Sequence, residues 1–402
     1  MGEPQESQDR QMLLSLREEI QASRDEMVSI RRDLHARPEL AFQEKYTSRL
    51  ISGRLESLGL KVQTGIARTG VVGLAEGRLE GPTLMLRADM DALPVQETSD
   101  KPYRSKSNGV MHACGHDGHM AVLLAVAAVL AGHRERLKGT AKLVFQPAEE
   151  TMSGARDMMA EGVMENPRVD RALGFHLWNA LPVGHVGVRP GVIFASADEF
   201  RLVIRGQGGH GALPHQAVDP VPMAAQVITA LQTLVSRERP PGEVAVLTIG
   251  TIQGGTAYNV IADQVEMGGT LRTFNQDLRQ VLLGRIPEVA GGVCAALRGT
   301  FEFDVVRGCP PVYNDPKVAR FVRHVASQVV GEENLPDVVP STVADDIALF
   351  LMEAPGCYFL VGSSNPGKGL DSPHHSPSFD FDEDALSIAA EILLRSALEY
   401  LG

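Results

Sequence analysis

Apolar positions recur along the chain with two spacings, one typical of amphipathic helices and one typical of buried strands. Residues 11–37 carry apolar side chains at helical spacing, and Pro38 disfavours helical geometry at the residue before it, so a helix is predicted there. A second helix is predicted over 45–58 and is closed by Gly59. Short apolar or β-branched runs predict buried strands over 70–75, 83–88, 141–146 and 171–176.

The most apolar stretch, residues 121–131, is too short to span a membrane and has the length of a buried core helix. We expect this helix to start near His119. No apolar run of membrane-spanning length occurs in the chain, and the polar, acidic N-terminus lacks the basic and then apolar order of a secretory signal. These observations predict a cytoplasmic protein with no membrane partner.

The pattern changes near residue 195, where a second kind of domain is predicted. Strands are expected over 198–205, 243–253, 264–272 and 301–306, and helices over 220–237 and 277–297. This order is typical of a small two-layer α+β unit. Beyond 311 the α/β pattern resumes with a helix over 317–330, a strand over 357–361 and a helix over 383–401. We therefore predict one α/β domain formed by residues 1–194 and 311–402, into which residues 195–310 are inserted.

Length, charge and cysteine content narrow the class of protein. A chain of 402 residues is long enough for two or three domains. The net charge of −12, without any cluster of Lys and Arg, argues against a nucleic-acid partner. Four cysteines in a chain of this length give no disulfide framework, which favours a reducing compartment.

Three of the predicted strands are followed by acidic or imidazole side chains. Asp89 and Asp91 follow one strand, Glu149 and Glu150 follow the next, and His176 ends a third. Ligands bind outside the carboxyl ends of the strands in open α/β sheets, so these three strand ends could converge on one site. Any one of them alone would be an ordinary polar loop.

The densest group of possible metal ligands lies in residues 111–120, M-H-A-C-G-H-D-G-H-M. Cys114 and His116 are two positions apart, so their side chains face the same way in an extended chain, and thiolate with imidazole suits a transition metal. A single Cys or His here would more simply be a buried residue or a helix start, whereas five such residues in ten positions favour a metal site.

The candidate ligands are too many for one ion. They are Cys114, His116, Glu150, His176 and one of His374 or His375. One tetrahedral ion with an open position needs only three, whereas two ions that share a bridging ligand fit this set. Since adjacent residues point in different directions, one of Glu149 and Glu150 could bind metal while the other acts as a general base on water.

Eight motifs together resemble the aminoacylase/hippurate hydrolase family of dinuclear metallopeptidases. The motifs are H-A-R-P-E-L (35–40), L-R-A-D-M-D-A-L-P (86–94), M-H-A-C-G-H-D-G-H (111–119), P-A-E-E (147–150), G-F-H (174–176), G-G-H-G-A-L-P-H (208–215), Y-N-V-I (258–261) and H-H-S-P (374–377). The resemblance runs from about residue 30 to the C-terminus. It is closest to the branch of hippurate hydrolases and auxin–amino-acid conjugate hydrolases, because the cysteine of C-G-H-D-G-H is specific to that branch. It implies a mixed-sheet α/β metallopeptidase domain with an inserted α+β lid and dimerisation domain.

The resemblance also implies roles for residues of the α/β domain. The implied metal ligands are Cys114, as the bridge, with His116, Glu150, His176 and His375. Glu149 resembles the general base, and Asp91 resembles an aspartate that orients a ligand imidazole and fixes its tautomer. The role of Asp89 stays open, since more distant relatives have a metal-binding His there. His112, Asp117 and His119 are expected to support the loop by hydrogen bonds.

Three residues of the inserted domain resemble family site residues. His210 resembles an imidazole that reaches an active site, commonly that of the partner subunit, and stabilises the oxyanion of the tetrahedral intermediate. Asn259 and Arg272 resemble residues that hold the free carboxylate of the substrate. Without such roles, Arg272 would be a surface charge and Asn259 a turn residue. The family usually has Pro where this chain has Ala262, which we expect to loosen that turn.

The resemblance predicts a metal-dependent amidohydrolase that cleaves N-acyl or N-aroyl L-amino acids. We expect two divalent ions, zinc, manganese or cobalt, in each subunit of a homodimer or dimer-based oligomer. A metallo-carboxypeptidase or dipeptidase is the close alternative, since a peptide is an acylated amino acid to such a site. An inactive relative that only binds would lack a ligand, and none is missing here. The sequence selects neither the acyl group nor the amino acid nor the metal.

Overall fold

The computed structural model describes residues 14–402 of the chain. The acidic N-terminus and the first three residues of the helix predicted over 11–37 lie outside the described residues. Residues 14–22 are helical, and a turn at Ser23 separates them from the next helix. Ser23 Oγ donates to the carbonyl of Glu19 at 3.0 Å, a side-chain bond that competes with regular helix geometry. The single helix predicted here is therefore divided into two.

The helices and longer strands follow the predicted order, with several short elements added. In chain order they are α1 (Arg24–His35), α2 (Lys45–Ser57), β1 (Lys61–Ile66), β2 (Gly70–Glu76), β3 (Leu79–Asp89), α3 (His116–Gly132), β4 (Lys138–Gln146), α4 (Gly154–Ala160), β5 (Arg171–Pro182), β6 (Val186–Gly187), β7 (Gly191–Phe194), β8 (Ala197–Arg205), β9 (Gly209–His210), α5 (Pro220–Thr233), β10 (Ala245–Gly254), β11 (Val260–Ile261), β12 (Gln264–Thr273), α6 (Gln276–Ala296), β13 (Thr300–Cys309), β14 (Val312–Asn314), α7 (Pro316–Val330), α8 (Ile347–Glu353), β15 (Gly356–Ser364) and α9 (Asp384–Leu401). None of the helices within residues 14–402 is long and apolar enough to cross a membrane.

The chain divides into two compact units. Unit 1 contains the described residues up to Ile193 together with Tyr313–Val339 and Asp346–Gly402. Unit 2 contains Phe194–Val312 and Pro340–Asp345. The short second segment belongs to unit 2 because the backbone N–H of Ala195 bonds the carbonyls at positions 341 and 343, a pairing that the sequence pattern does not reveal.

Unit 1 is built around a seven-stranded mixed sheet with the order β1-β2-β4-β3-β5-β15-β6. The central strands β4, β3, β5 and β15 are parallel to one another. Strands β2 and β6 pair antiparallel with β4 and β15, and β1 pairs antiparallel with β2. Helix α3 is buried along almost its whole length, because its A-V-L-L-A-V-A-A-V-L-A run has no polar face to present to water. The parallel strands place their carboxyl ends at one edge of the sheet, where α3 also begins.

Unit 2 contains a four-stranded antiparallel sheet with the order β10-β12-β8-β13. Burial alternates along β12, and its buried side chains pack with those of α5 and α6 in a separate apolar core. Asp219 and Asn275 cap these two helices by accepting backbone N–H groups of the first turn. The strand and helix order predicted for residues 195–310 is thus present.

Candidate metal centre

The five side chains expected as metal ligands lie together at the carboxyl edge of the unit 1 sheet. Cys114 Sγ is 3.5 Å from His176 Nε2, and Glu150 lies 3.8 Å from His116 Nε2 and 3.6 Å from His375 Nε2, measured from its two carboxylate oxygens. Two groups of potential ligand atoms, each within 4.8 Å of one another, share Cys114: one adds His116 and His176, and the other adds Glu150 and His375.

The loop before α3 aims Cys114 and His116 at this edge. Gly115 between them has φ +89°, a left-handed conformation that glycine adopts without steric cost. His116 is then the first residue of α3. The sharp turn at Gly115 lets the thiol and the imidazole on either side of it approach one point.

In each of the two buried histidines among the candidate ligands, a backbone carbonyl holds Nδ1. His116 Nδ1 donates to the backbone carbonyl of Asp91 at 2.8 Å, and His176 Nδ1 donates to the carbonyl of Leu177 at 2.6 Å. In the neutral ring of each histidine, the unprotonated Nε2 therefore faces the site. Burial of His116 opposes protonation, but the Asp89 carboxylate and the bond to Asp91 outweigh it and raise the pKa of His116 to about 10, so a bound metal ion would take the place of that proton. Among the described residues, the buried atoms His116 Nε2 and Glu150 Oε1 have no hydrogen-bond partner. Buried polar atoms are normally satisfied, so these atoms fit a metal site well.

Asp91 supports the centre through both its carboxylate and its main-chain carbonyl. Its carboxylate accepts the backbone N–H groups of Glu149 and Glu150, at 3.0 and 3.1 Å. The main-chain carbonyl of Asp91 accepts from His116 Nδ1, and Asp91 Oδ1 lies 3.6 Å from the same nitrogen. Asp91 thus holds a candidate ligand histidine and the P-A-E-E turn at the same time, and the motif alone could not show which of its oxygens meets which partner.

His119 and Asp89 form a buried support for the site. Asp89 accepts Arg87 Nη1–H at 2.7 Å and His119 Nδ1–H at 2.6 Å. His119 Nε2 accepts the backbone N–H of Leu177 at 3.0 Å. Both ring nitrogens of His119 are therefore engaged, and the supporting role expected for this residue agrees with its contacts. Asp89, whose role the sequence left open, anchors His119.

Asp117 and His112, the other two residues expected to support the loop, differ in their hydrogen bonds. Asp117 accepts from His35 Nδ1 at 2.8 Å and lies 2.9 Å from Arg31 Nε, with all three side chains buried. His112 is also buried, but neither of its ring nitrogens has a hydrogen-bond partner among the described residues. Burial lowers the pKa of His112 to about 3, so this imidazole is neutral.

His374 and His375 make different contacts. His374 Nε2 donates to the carbonyl of Leu177 at 2.9 Å, and its ring stacks on Trp178 with a centroid separation of 5.0 Å. His375 has φ +65° and faces Glu150. Since the backbone carbonyl already occupies Nε2 of His374, the geometry favours His375 over His374 as the ligand.

The carboxylates of the cluster change the pKa values of the neighbouring thiol and imidazole groups. Burial and the carboxylates of Glu150, Glu149 and Asp89 raise the pKa of the Cys114 thiol well above its ordinary value. Burial also raises the pKa of Glu150. For His176, burial and the neighbouring imidazoles lower the pKa, which keeps its ring neutral and able to ligate. A divalent cation would relieve the repulsion among these groups.

In unit 2, His210 and Asn259 lie side by side. The strand pair β9 and β11 joins His210 to Val260, and the N–H of Gly211 donates to the carbonyl of Asn259 at 2.8 Å. His210 is exposed, and its Nδ1 accepts the N–H of Ala212 at 3.0 Å, so its proton is on Nε2. This tautomer can donate a hydrogen bond to an oxyanion.

Arg272 and the turn at Ala262 are two further features of unit 2 for which expectations follow from the sequence. Arg272 lies on β12, and its buried Nη1 has no hydrogen-bond partner in the described part of the chain. The turn containing Ala262 is not loose, because Asp263 accepts the N–H of Gly206 with its carbonyl at 2.8 Å and the N–H of Gly208 with its carboxylate at 2.9 Å. Bonds from the neighbouring residue replace the rigidity that Pro would supply.

Comparison with known proteins connects this geometry to solved metallopeptidases. The YXEP protein of Bacillus subtilis, described as a dinuclear metal binding peptidase from the M20 family, has 35% sequence identity and superposes with a TM-score of 0.79, covering 95% of this chain and 99% of its own. The mixed-sheet α/β metallopeptidase fold predicted from the sequence is thereby confirmed.

Curated relatives of similar length have been assigned several hydrolytic activities. The IAA-amino acid hydrolase ILR1-like 2 of Arabidopsis thaliana is 40% identical, covering 94% of this chain and 85% of its own. N-acetylcysteine deacetylase of Bacillus subtilis is 38% identical, with coverages of 92% and 96%. Thermostable carboxypeptidase 2 of Saccharolobus solfataricus is also 38% identical, with coverages of 93% and 95%.

The family model described as peptidase family M20/M25/M40 matches residues 85–399, a range that contains all five clustered ligand candidates and Glu149. The relatives agree with the resemblance to the aminoacylase and hippurate hydrolase branch. The chain is therefore a hydrolase that belongs to peptidase family M20/M25/M40.

Proposed function

We propose that this protein is a metal-dependent amidohydrolase that cleaves the amide bond of N-acyl or N-aroyl L-amino acids. The products are a carboxylic acid and a free amino acid. The observation that carries the proposal is the pair of ligand groups that share Cys114, which matches two ions with one bridging ligand. Relatives that act on conjugated or acetylated amino acids support the choice of substrate class.

The metal-binding residues in this proposal are Cys114, as the bridge, with His116, Glu150, His176 and His375. Zinc, manganese and cobalt all suit a set of one thiolate, one carboxylate and three imidazoles. When bound, two such ions supply Lewis-acid polarisation of the scissile carbonyl and lower the pKa of water.

Glu149 is the proposed general base. Its side chain is buried, with one carboxylate oxygen 3.9 Å from His116 Nε2, and its backbone is fixed by Asp91. The carboxylate takes a proton from the attacking water as the oxygen of that water bonds to the amide carbon. It then gives the proton to the amide nitrogen as the carbon–nitrogen bond breaks, so the amino acid leaves as a neutral amine.

Unit 2 supplies the remaining groups in this proposal. His210, with its proton on Nε2, donates to the oxyanion that forms on the carbonyl oxygen, and it does so in the active site of a second copy of the chain. Arg272 and Asn259 hold the free carboxylate of the amino acid. The exposure of His210 and the unpartnered Nη1 of Arg272 support these roles.

Substitution of the base tests the proposal most directly. Glu149→Gln should abolish hydrolysis of benzoylglycine and N-acetyl amino acids, while the metal content measured by elemental analysis stays at the wild-type level. Glu161→Gln, a change at an exposed residue beside α4, is the matched control and should leave turnover unchanged. Retained hydrolysis by Glu149→Gln would remove the assignment of the base. Chelator treatment should stop turnover, and added Mn²⁺, Co²⁺ or Zn²⁺ should restore it.

Carboxypeptidase activity is the second candidate, because a relative of 38% identity carries that assignment. A peptide differs from an N-acyl amino acid mainly by the groups on the acyl side of the bond. Comparison of benzoylglycine, N-acetyl amino acids and dipeptides, each with several metals, separates the two. Higher kcat/KM for dipeptides than for simple acyl groups would favour the carboxypeptidase. Absence of stoichiometric metal and of all turnover would favour a binding protein.

A further inference from the structure

The turn that carries Glu149 and Glu150 has an unfavourable backbone conformation. Ala148, between β4 and these two residues, has φ +53°, in the left-handed region. A residue with a Cβ atom adopts this conformation only at a cost in free energy, so contacts from elsewhere must hold it. The direction in which both glutamates leave the turn depends on those contacts.

Three consecutive backbone N–H groups of the turn are held by two buried carboxylates. Asp91 accepts those of Glu149 and Glu150, as described above. The third, that of Ala148, donates to Oε1 of Glu44 at 3.1 Å. Asp91 and Glu44 therefore fix the turn jointly, although 104 residues separate Glu44 from Ala148 in the sequence.

Glu44 is placed for this contact at the start of α2. Its side chain is fully buried, and its second oxygen, Oε2, accepts the hydroxyl of Thr69 at 2.6 Å. Burial raises the pKa of Glu44 to about 7, an effect that the Thr69 hydroxyl opposes and the Asp91 carboxylate reinforces. A buried carboxyl group at this position is costly, and its two contacts tie α2 to the residue before β2 and to the turn after β4.

We propose that Glu44 is a positioning residue of the active site: by holding the peptide N–H of Ala148, it sets the direction of Glu149 and Glu150. The inference rests on the proposed function for its catalytic consequence. Glu44 bonds Ala148 and Thr69 and belongs to none of the groups of candidate metal ligands found among the described residues. Its hydrogen bond to Ala148 is the contact through which it acts.

Three substitutions separate this role from general support of the fold. Glu44→Met fills a similar volume without an acceptor for the N–H of Ala148. Glu44→Gln keeps a carbonyl oxygen for that N–H and an amide that can donate to Thr69. Thr69→Val is the matched control, because it removes the other hydrogen bond of Glu44 and leaves the bond to Ala148.

We expect Glu44→Met to lower kcat roughly 10- to 100-fold, the usual effect of losing a partner behind the reacting groups, with little change in KM. Glu44→Gln and Thr69→Val should keep kcat within about threefold of wild type, a smaller change than the loss expected for Glu44→Met. Wild-type kcat in Glu44→Met would overturn the inference. Equal losses in all three variants would also overturn it, because they would indicate a general effect on the fold.

Hydrogen exchange in the metal-free protein gives a readout that is independent of turnover. The peptide covering residues 147–154 should exchange faster in Glu44→Met than in wild type, and at the wild-type rate in Glu44→Gln and Thr69→Val. Unchanged exchange in Glu44→Met would refute the proposed anchoring. If the proposed function is wrong, the wild-type protein will not hydrolyse amides, but the difference in hydrogen exchange between Glu44→Met and wild type will persist.

Discussion

His119 accepts the backbone N–H of Leu177 with its Nε2, at 3.0 Å. The carbonyl of the same Leu177 accepts from His176 and from His374, at 2.6 and 2.9 Å. One residue of β5 thus links three imidazoles around the candidate metal centre. Asp89, bonded to the other nitrogen of His119, anchors this arrangement to the neighbouring strand β3.

Replacement of His119 by Ala should therefore weaken both stability and metal binding. The change leaves the N–H of Leu177 and one oxygen of Asp89 buried without partners, and each such group costs about 1–3 kcal/mol, so we expect a loss of roughly 2–6 kcal/mol. Metal affinity should fall about 10- to 100-fold, because the orientation of His176 is no longer fixed. Urea unfolding of the metal-free protein and metal titration measure the two effects.

His324, exposed on α7, provides the control for that experiment. His324→Ala removes an imidazole of the same size from a solvated helix face, and its unfolding free energy should stay within about 0.5 kcal/mol of wild type. If both variants unfold at the same urea concentration as wild type, the hydrogen bonds of His119 do not stabilise the fold as argued.

Glu44 and Glu97 should contribute to the free energy of unfolding with opposite dependences on pH. The pKa of Glu44 is raised from 4.5 to about 7. Between these values the folded state retains a proton that the unfolded state has released, so this group lowers stability as pH rises through the window. Glu44→Gln removes the effect. The unfolding free energy of metal-free Glu44→Gln minus that of metal-free wild type should therefore increase as pH rises from 5 to 8. The increase should be at most about 3 kcal/mol, because one pKa unit corresponds to about 1.4 kcal/mol.

Glu97 should show the reverse sign. Burial opposes its ionisation, but hydrogen bonds from His35, Ser99 and the N–H of Ser105 outweigh burial and lower its pKa from 4.5 to about 2. Its contribution to stability is present above pH 4.5 and is lost as pH falls toward 2. The difference in unfolding free energy between wild type and Glu97→Gln should therefore shrink as pH falls from 6 to 3. A difference that grows on acidification would contradict this sign.

The sequence predicts the elements with a strong hydrophobic pattern and misses those without one. The polar segment K-V-Q-T-G-I forms β1, where only one of six residues is fully buried, so apolar spacing gives no signal for it. The one-turn to two-turn helices α4 and α8 are too short to establish a helical period. Residues 340–345 join unit 2 through backbone bonds, which side-chain patterns do not encode.

The candidate site was predictable where its chemistry resides in distinctive side chains. Cys114 could be recognised because residues 111–120 contain five possible ligands, and His176 because several predicted strands end in acidic or imidazole side chains. Glu44 and Leu177 could not, since a glutamate at a helix start and a leucine in a strand are ordinary, and their roles come from contacts between distant segments. The family motif pointed to Asp91, yet only the fold shows that its carboxylate holds two glutamate N–H groups.

Two Gly→Ala substitutions should have opposite effects on stability. A Cβ atom at Gly154 would lie 1.6 Å from the carbonyl oxygen of Pro147, inside the turn that carries Glu149, and the backbone would have to move. Such overpacking costs about 1–3 kcal/mol or more, and we expect lower turnover as well. At Gly53, within α2, a Cβ meets nothing within 4 Å, so alanine should stabilise the helix by about 0.5–1 kcal/mol. Thermal unfolding and kcat of both variants test this contrast, and a stable, active Gly154→Ala variant would contradict it.

Substitution of Arg272 tests the proposed carboxylate recognition. Arg272→Met removes the hydrogen bonds between the guanidinium and the substrate carboxylate, and a hydrogen bond to a charged group contributes about 1.5–3 kcal/mol. We therefore expect kcat/KM for N-acyl amino acids to fall roughly 10- to 150-fold. Arg272→Lys should recover only part of this loss, because an ammonium keeps the charge but not the planar two-donor geometry. With a substrate whose carboxylate is replaced by a carboxamide, wild type and Arg272→Met should differ little, since no anion remains to be bound. If Arg272→Met lowers kcat/KM equally for the acid and the carboxamide, Arg272 acts on the fold of β12 and not on the substrate carboxylate.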